Sequence, residues 1–334
     1  MMKLSVLTIL SLMSILSQPP LSHSIRCNPQ DKQVLLKIKQ AFNNAYHFAS
    51  WNPDTDCCYW YIVKCDRKTN RIIDLNVITA NISGPIPDAV ADLPFLESLT
   101  FHKIANLTGT LPRALTKLTH LKSLTISWTN ISGPIPSYVS QFKNLTSLDL
   151  SFNDLSGPIP ASLAQLRGLT GLMLDRNKLT GSIPESFGEL PASLQYLDLS
   201  HNQLSGSIPK GWGGLNFTTL QLQRNRIEGD ASALFGRNKS IQNADLSRNM
   251  LEFDLSKVEF PDSLRYLDLN HNRIFGALPA GLAGDTLTFL NVSYNRLCGR
   301  IPAGGVLQQM DYSSYFHNKC LCGAPLPDCK SSLQ

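Results

Sequence analysis

Between Cys65 and Cys298 this 334-residue chain has no cysteine at all. Its eight cysteines fall in two groups, Cys27, Cys57, Cys58 and Cys65 near the start and Cys298, Cys320, Cys322 and Cys329 near the end. An even count gathered at both ends is the pattern of disulfide-stapled caps made in an oxidising compartment. Pairing nearest neighbours gives Cys27–Cys57, Cys58–Cys65, Cys298–Cys320 and Cys322–Cys329, while the spacing leaves other connectivities open within each cap. No CxxC pair occurs and no histidines stand at ligand spacing beside the clusters, which argues against zinc. No metal or cofactor is implied.

A second long hydrophobic run is also missing. The first lies in "MMKLSVLTILSLMSILSQPPLSHS", where Lys3 precedes an apolar run to Leu16 and Ser22 and Ser24 offer a cleavage site. That run falls short of the ~20 apolar residues a spanning helix needs, so residues 1–24 are expected to be a secretory signal and the mature chain a soluble, secreted protein without a membrane anchor. Catalytic signatures are lacking as well: there is no HExxH, GxSxG, GxGxxG or phosphate-binding loop, and the histidines are dispersed. The formal charge of +5 and pI near 8.7 permit adhesion to an anionic matrix without requiring it. No basic run with interleaved aromatics supports nucleic-acid binding.

What the chain has in abundance is one phrase. "LDLSFNDLSGPIP" at 148–160 returns as "LMLDRNKLTGSIP" at 172–184 and "LDLSHNQLSGSIP" at 197–209. Aligned on xxLxLxxNxLxGxIP, an asparagine column runs through Asn153, Asn177, Asn202, Asn225, Asn249, Asn272 and Asn295, with Ala80, Ala105 and Thr129 in the first three of ten copies, at intervals of 23 to 25 residues. Leucines at fixed offsets with such a period are the signature of a leucine-rich-repeat solenoid. The predicted fold is an α/β repeat solenoid, a curved right-handed superhelix with a parallel concave sheet. Its expected organisation is an N-terminal cap over 25–70, ten repeats over 71–302 and a C-terminal cap over 303–334 that begins within the last repeat at Cys298.

Each fixed letter has a physical role. Alternation in "LDLSFN" turns Leu148 and Leu150 into the core and Thr146, Ser147, Asp149, Ser151 and Phe152 outward. The Asn amide can pair with backbone groups of neighbouring turns. Gly157 allows a bend, and Ile159–Pro160 sends the chain back along the opposite side. Ten strands about 4.8 Å apart make a face roughly 40 Å long, which suits a protein or polymer better than a metabolite. In the cap, "DKQVLLKIKQAF" places Val34, Leu35, Ile38 and Phe42 near helical spacing.

The letters that change lie on the concave face. Between the two core residues of each strand stand Asn76, Thr100, Thr125, Asp149, Met173, Asp198, Gln221, Asp245, Asp268 and Asn291, with Asp175 two positions along in the fifth copy. Just before the asparagine column stand Thr79, Trp128, Phe152, Arg176, His201, Arg224, Arg248, His271 and Tyr294; an extra residue in the second copy leaves either Lys103 or Ile104 there. The bases could simply neutralise the acids. Trp128 and Phe152, facing solvent in adjacent copies, serve no scaffold purpose and mark a contact site. The carboxylates are spread along an open sheet, unlike the pair that flanks one bond in a glycosidase groove. Seven sequons, at Asn81, Asn106, Asn130, Asn144, Asn216, Asn238 and Asn291, are candidate glycosylation sites, and a glycan on Asn291 would block the face near its end.

The caps "SWNPDTDCCYWYIVKC" and "NRLCGRIPAGGVLQQMDYSSYFHNKCLCGAPLPDC", the "GPIP" and "GSIP" phrases, and the broken consensus at "GDASALFG" (229–236) and "FDLSKV" (253–258) together resemble the polygalacturonase-inhibiting proteins of plant cell walls. The resemblance covers about residues 25–330. It implies a monomeric, non-enzymatic glycoprotein of the plant cell wall or apoplast that binds fungal endo-polygalacturonases through its concave face and so limits pectin degradation in defence. It also implies an extra strand and 3₁₀ turns on the convex side. In that family an acidic part of the face meets basic residues around the enzyme's cleft; the matching positions are Asp149, Asp175, Asp198 and Gln221. Gln242 falls where the family has a residue that influences which enzymes are recognised. His201, Arg224, Arg248 and His271 match positions implicated in holding demethylated pectin, and their two histidines imply stronger binding in an acidic wall. Two other readings share the scaffold. A soluble receptor-like module would bind a peptide or receptor ectodomain with the same face, and an ice-binding relative would need a flat, regular array of Asn or Thr.

Overall fold

Leu148, Leu150, Leu155, Ile159, Leu163, Leu166 and Leu169, one full repeat, are all buried, each facing its counterparts in the turns before and after. The computed structural model describes residues 26–329, so the signal segment lies outside the described residues. Stacking joins the repeats into a single apolar column that no repeat could form alone.

The chain enters through helix α1 (Pro29–Ala41), capped by the Asn28 side chain, which accepts from the N–H groups of Gln30 and Asp31. Val34, Leu35, Ile38 and Phe42 point inward as the spacing predicts. Asp31 accepts a two-pronged pair from Arg71, at 2.9 and 2.6 Å, and a bond from the Ile72 N–H, tying α1 to the first repeat. The four disulfides join the nearest neighbours in each cap.

A short strand β1 (Val63–Cys65) pairs antiparallel with β2 (Ile72–Ile78). From there the concave sheet runs in parallel through β3 (Ser98–Gly109), β4 (Ser123–Gly133) and seven three-residue strands ending with Phe289–Asn291. β4 is long enough to start a second arm, which continues through Asp154–Pro158, Lys178–Ser182, Gln203–Ser207, Arg226–Gly229 and Met250–Leu251. That arm stops at the broken consensus of 253–258, where only an isolated bridge joins Asp254 to Phe275 before a separate three-stranded sheet. The return side carries 3₁₀ turns that begin directly after Pro87, Pro112, Pro136, Pro160, Pro184, Pro209 and Pro279.

The asparagine ladder forms as expected. Asn177 donates from Nδ2 to Leu150 O in the preceding turn (2.9 Å) and to Leu174 and Asp175 O in its own (3.1 Å each), while its Oδ1 accepts from the Leu155 N–H (3.0 Å). Two positions need correction. In the second copy Ile104, not Ala105, pairs with Thr129, so the extra residue follows the column and Asn106 lies two places past it. The ladder also continues once beyond the repeats, because Asn318 in the C-terminal cap donates to Val292 O and accepts from the Leu297 N–H.

Candidate binding face on the concave sheet

The residue immediately before each ladder position has a left-handed backbone. From Thr79, Lys103, Trp128, Phe152, Arg176, His201, Arg224 and Arg248 to His271, Tyr294 and His317, φ lies between +51° and +57°. Lys103 therefore fills the place the sequence leaves open between Lys103 and Ile104. Side chains with a Cβ disfavour this region by about 1–2 kcal/mol. Here ladder bonds and cross-repeat bonds, such as Arg176 N to Ser200 O (2.9 Å) and His201 N to Gln223 O (2.8 Å), hold them in it. Because every copy turns in the same way, the side chains project in parallel and stack. Trp128 lies 3.7 Å from Phe152 at 15°, with the Lys103 ammonium 5.9 Å from the Trp128 centroid and the Arg176 guanidinium 4.9 Å from that of Phe152. At the far end Tyr294 is sandwiched between His271 (4.1 Å) and His317 (4.2 Å).

The strand column behaves differently from the simple outward reading. Asp149 bends back to accept from the N–H (2.9 Å) and hydroxyl (2.7 Å) of Ser151, which is consequently buried. Asp198 accepts from the Ser200 N–H, Asp245 from the Ser247 N–H, and Asp268 from the N–H and side chain of Asn270. In the fifth copy the order is inverted: Met173 takes the acidic place, and Asp175 takes the place of the serine. Asp175 and Asp198 are only 8% and 7% exposed, because curvature crowds side chains on the inner face.

This crowding sets the electrostatics. Burial, then the charges of Asp198 and Asp149, push the Asp175 carboxyl up to about 7. Burial raises Asp198 and Asp245, and burial with the charge of Asp245 beside it carries Asp268 to about 6. Among the described residues the ion pairs lie elsewhere, and none links the strand acids to the basic column within 4.0 Å. Burial, followed by the neighbouring arginines, holds His201 and His271 below the ordinary histidine value, so they charge only in more acidic solution.

The sequence-derived candidates thus fall into two groups on one face. Trp128, Phe152, Asp149, Asp175 and Asp198 form an acidic surface edged by stacked aromatics, with Trp128 46% exposed. His201, Arg224, Arg248 and His271 continue the left-handed column as a basic edge. Gln221 lies between, accepting from Gln223, and Gln242 sits just ahead of the strand Asn243–Asp245. The sequence reading passed over Tyr196, Tyr266 and Phe289, which stand two residues before the acidic column and in mutual register; Tyr266 and Phe289 stack at 4.3 Å. The same two-residue alternation that reveals the acids would have revealed them. His317 was hidden because it lies in the cap. Six sequon asparagines are exposed, whereas Asn291 is half-buried with its Oδ1 accepting from Ser293. The sulfurs of Cys27, Cys57 and Cys58 lie close together, but all three are in disulfides and offer no thiolate to a metal. No helix among the described residues is long and apolar enough to cross a membrane.

A capped leucine-rich-repeat solenoid with a built concave face is a binding protein by architecture. Residues 28–66 match the family described as leucine rich repeat N-terminal domain, and residues 143–204 and 263–284 match leucine rich repeat families. The chain is 60% identical to a polygalacturonase inhibitor of Pyrus communis, covering 98% of this chain and all of that one, and 59% identical to one of Vitis vinifera, covering 96% of each. Among solved structures, a plant ice-binding protein is 49% identical, covers 92% of this chain and 99% of its own, and superposes with a TM-score of 0.90. The chain belongs to the polygalacturonase inhibitor family.

Proposed function

We propose that this protein is a secreted inhibitor, not an enzyme, that binds microbial endo-polygalacturonases with its concave face and limits pectin breakdown in the plant cell wall. The observation that carries the reading is the crowded acidic surface of Asp149, Asp175 and Asp198 edged by the Trp128–Phe152 stack, in a chain nearly colinear with relatives named polygalacturonase inhibitor. The carboxylates steer a basic partner into place, less strongly in acidic solution where Asp175, raised to about 7, holds its proton, and stacked aromatics supply apolar area already ordered before binding. The basic edge from His201 to His271 offers a second surface for demethylated pectin. The exposed sequons are candidate glycan sites, and the division into signal, two caps and ten repeats belongs to the same reading, as does a monomeric state.

Purified protein titrated into several fungal endo-polygalacturonases acting on polygalacturonate, at acidic pH and two salt concentrations, tests it. Saturable inhibition of at least one enzyme, weaker at high salt, is expected. A folded protein that inhibits none of a broad panel would sink the proposal in favour of a receptor-like module. Ice binding is disfavoured by the face itself: its outward columns mix Asp, Gln, Met, Arg and Trp instead of repeating Thr or Asn.

A further inference from the structure

A groove on the return side of the solenoid, away from the concave face, has no part in the inhibitor reading. It measures about 500 Å³ and opens between the broken consensus of 253–258 and the 3₁₀ turn Ala280–Ala283. Val258 and Phe260, both buried, line it with Pro279 and Gly281. The rest of its lining is polar: Arg237 and Glu259 pair at 3.4 Å, with Lys257 and Asp262 beside them.

The opening has a cause in the sequence. Two places after the proline that starts each return turn stand Ala89, Ala114, Tyr138, Ser162 and Ser186, then Gly211 and Gly281. Gly211 is packed hard against Gly188, whereas a Cβ on Gly281 would meet nothing within 4 Å. One on Gly284 would meet only the Gly281 carbonyl oxygen, at 3.8 Å. The missing side chains leave the groove unfilled.

A sequon stands at its end. Asn238, Pro261 and Gly284 each lie five residues ahead of a concave strand and are thus one position in three successive turns; Arg237, next to the first of them, lines the groove. Asn238 opens the sequon Asn238-Lys239-Ser240, is exposed, and makes no side-chain hydrogen bond among the described residues. Asn130 and Asn144 instead donate from Nδ2 to Ala105 O (2.6 Å) and Thr119 O (2.8 Å). The loop that presents Asn238 is fixed: Lys239 donates from Nζ to Gly213 O (2.5 Å) and Leu215 O (2.7 Å), and the Ser240 N–H donates to Asn216 Oδ1 (2.7 Å). From Asn238 to Gly284 is two repeat spacings, on the order of 10 Å at strand separation, the reach of a short sugar chain. An apolar floor suits the C–H face and acetyl methyl of an amino sugar, and charged groups beside it suit its hydroxyls and amide.

We propose that Asn238 carries an N-linked glycan whose first two N-acetylglucosamine units lie in this groove and cover its apolar floor. The proposal rests on the reading of the chain as secreted. A sugar tethered at the groove's end enters it in an intramolecular step, so contacts too weak to hold a free sugar hold this one.

The test uses the full protein secreted from a eukaryotic host whose glycans remain rich in mannose. Glycopeptide mass spectrometry should find Asn238 occupied. An endoglycosidase that cuts between the first two sugars should act on the native protein at least tenfold more slowly at Asn238 than at the other occupied sequons, and at similar rates everywhere after denaturation. Gly281→Phe, which fills the groove, should bring the native ratio within twofold. Asn238→Gln, which breaks no hydrogen bond, should lower the melting temperature by about 1–3 °C. An unmodified Asn238, cutting there as fast as elsewhere, a ratio unmoved by Gly281→Phe, or an unchanged melt in Asn238→Gln would each overturn the proposal. Inhibition of a sensitive endo-polygalacturonase, read on the same preparations and expected to stay within twofold in both variants, reports on the inhibitor reading alone, so the two fail separately.

Discussion

Asn177 and Arg176 are neighbours in the chain and opposites in use. One is 9% exposed and ties two turns together through its amide; the other stands at φ +51° with its guanidinium over Phe152. The same contrast repeats in successive copies: Asn153 with Phe152, Asn202 with His201, Asn249 with Arg248, Asn272 with His271. The asparagine column never varies from Asn153 onward, while the residue before it is aromatic, basic or imidazole. Scaffold and candidate site are therefore separated by a single residue, and the ladder that stabilises the fold also forces the variable side chains into a parallel row. A solenoid of this design can change its binding face without touching its core.

The strongest way to break the contrast is from the scaffold side. Leu148→Ala should lower unfolding free energy by ~2–5 kcal/mol, because a fully buried side chain leaves a cavity. Asn177→Ala strands the buried Leu155 N–H and leaves Leu150 O and Leu174 O with one ladder donor each, from Asn153 and Asn202, and should cost ~1–3 kcal/mol. Denaturant melts check both, and for Leu148→Ala inhibition per folded molecule should be unchanged. Trp128→Ala attacks the site side: inhibition should weaken ~10- to 30-fold with little change in the melt, as expected when an exposed anchor is truncated. A Trp128→Ala variant that melts early but inhibits normally would reverse the two assignments.

Acidity sharpens the contrast further. The folded-state carboxyls of Asp175 and Asp268 are raised to about 7 and about 6, so the native state binds more protons than the unfolded chain between the ordinary value of 3.8 and those values. Their contribution to stability is full below pH 3.8 and is lost as pH rises through 6 to 7. His201 and His271, held below 6.5, act the other way and lose their contribution as pH falls through their lowered values. Asp175→Asn should therefore flatten the fall in melting temperature from pH 5 to pH 7.5. An unaltered slope in that variant would place the proton elsewhere. The smallest effect concerns the left-handed row alone: Arg248→Gly should leave stability unchanged or raise it by up to ~1 kcal/mol, and Arg248→Val should lower it by ~1 kcal/mol.

Much of this was legible from the letters. The leucine offsets and the asparagine ladder follow from periodicity, since each repeats a local rule many times, and the cap helix from its apolar spacing; the nearest-neighbour cysteine pairing is one of the connectivities the spacing left open. What escaped has a common cause. Left-handed backbone at Trp128 or Arg248 has no compositional signal, because glycine and asparagine usually mark it and neither is there. Ser151 was expected to face outward and is buried, since the reach of Asp149 back to it depends on curvature that a single repeat does not specify. Ile104 displaced Ala105 because the added residue falls after the ladder position, which only pairing with Thr129 decides. Tyr266 and Phe289 look unremarkable one copy at a time and become a stacked pair only when the copies are laid side by side.

The most direct test of the central claim, that inhibition runs through the acidic half of the concave face, is the inhibition constant of Asp149→Lys against a sensitive endo-polygalacturonase, measured across salt with the folded fraction matched to the native protein. The account predicts at least a tenfold loss at low salt that narrows as salt rises, over a melt lowered only by the loss of the acceptor for Ser151. An unaltered constant at low salt would contradict it and move the binding surface off these strands.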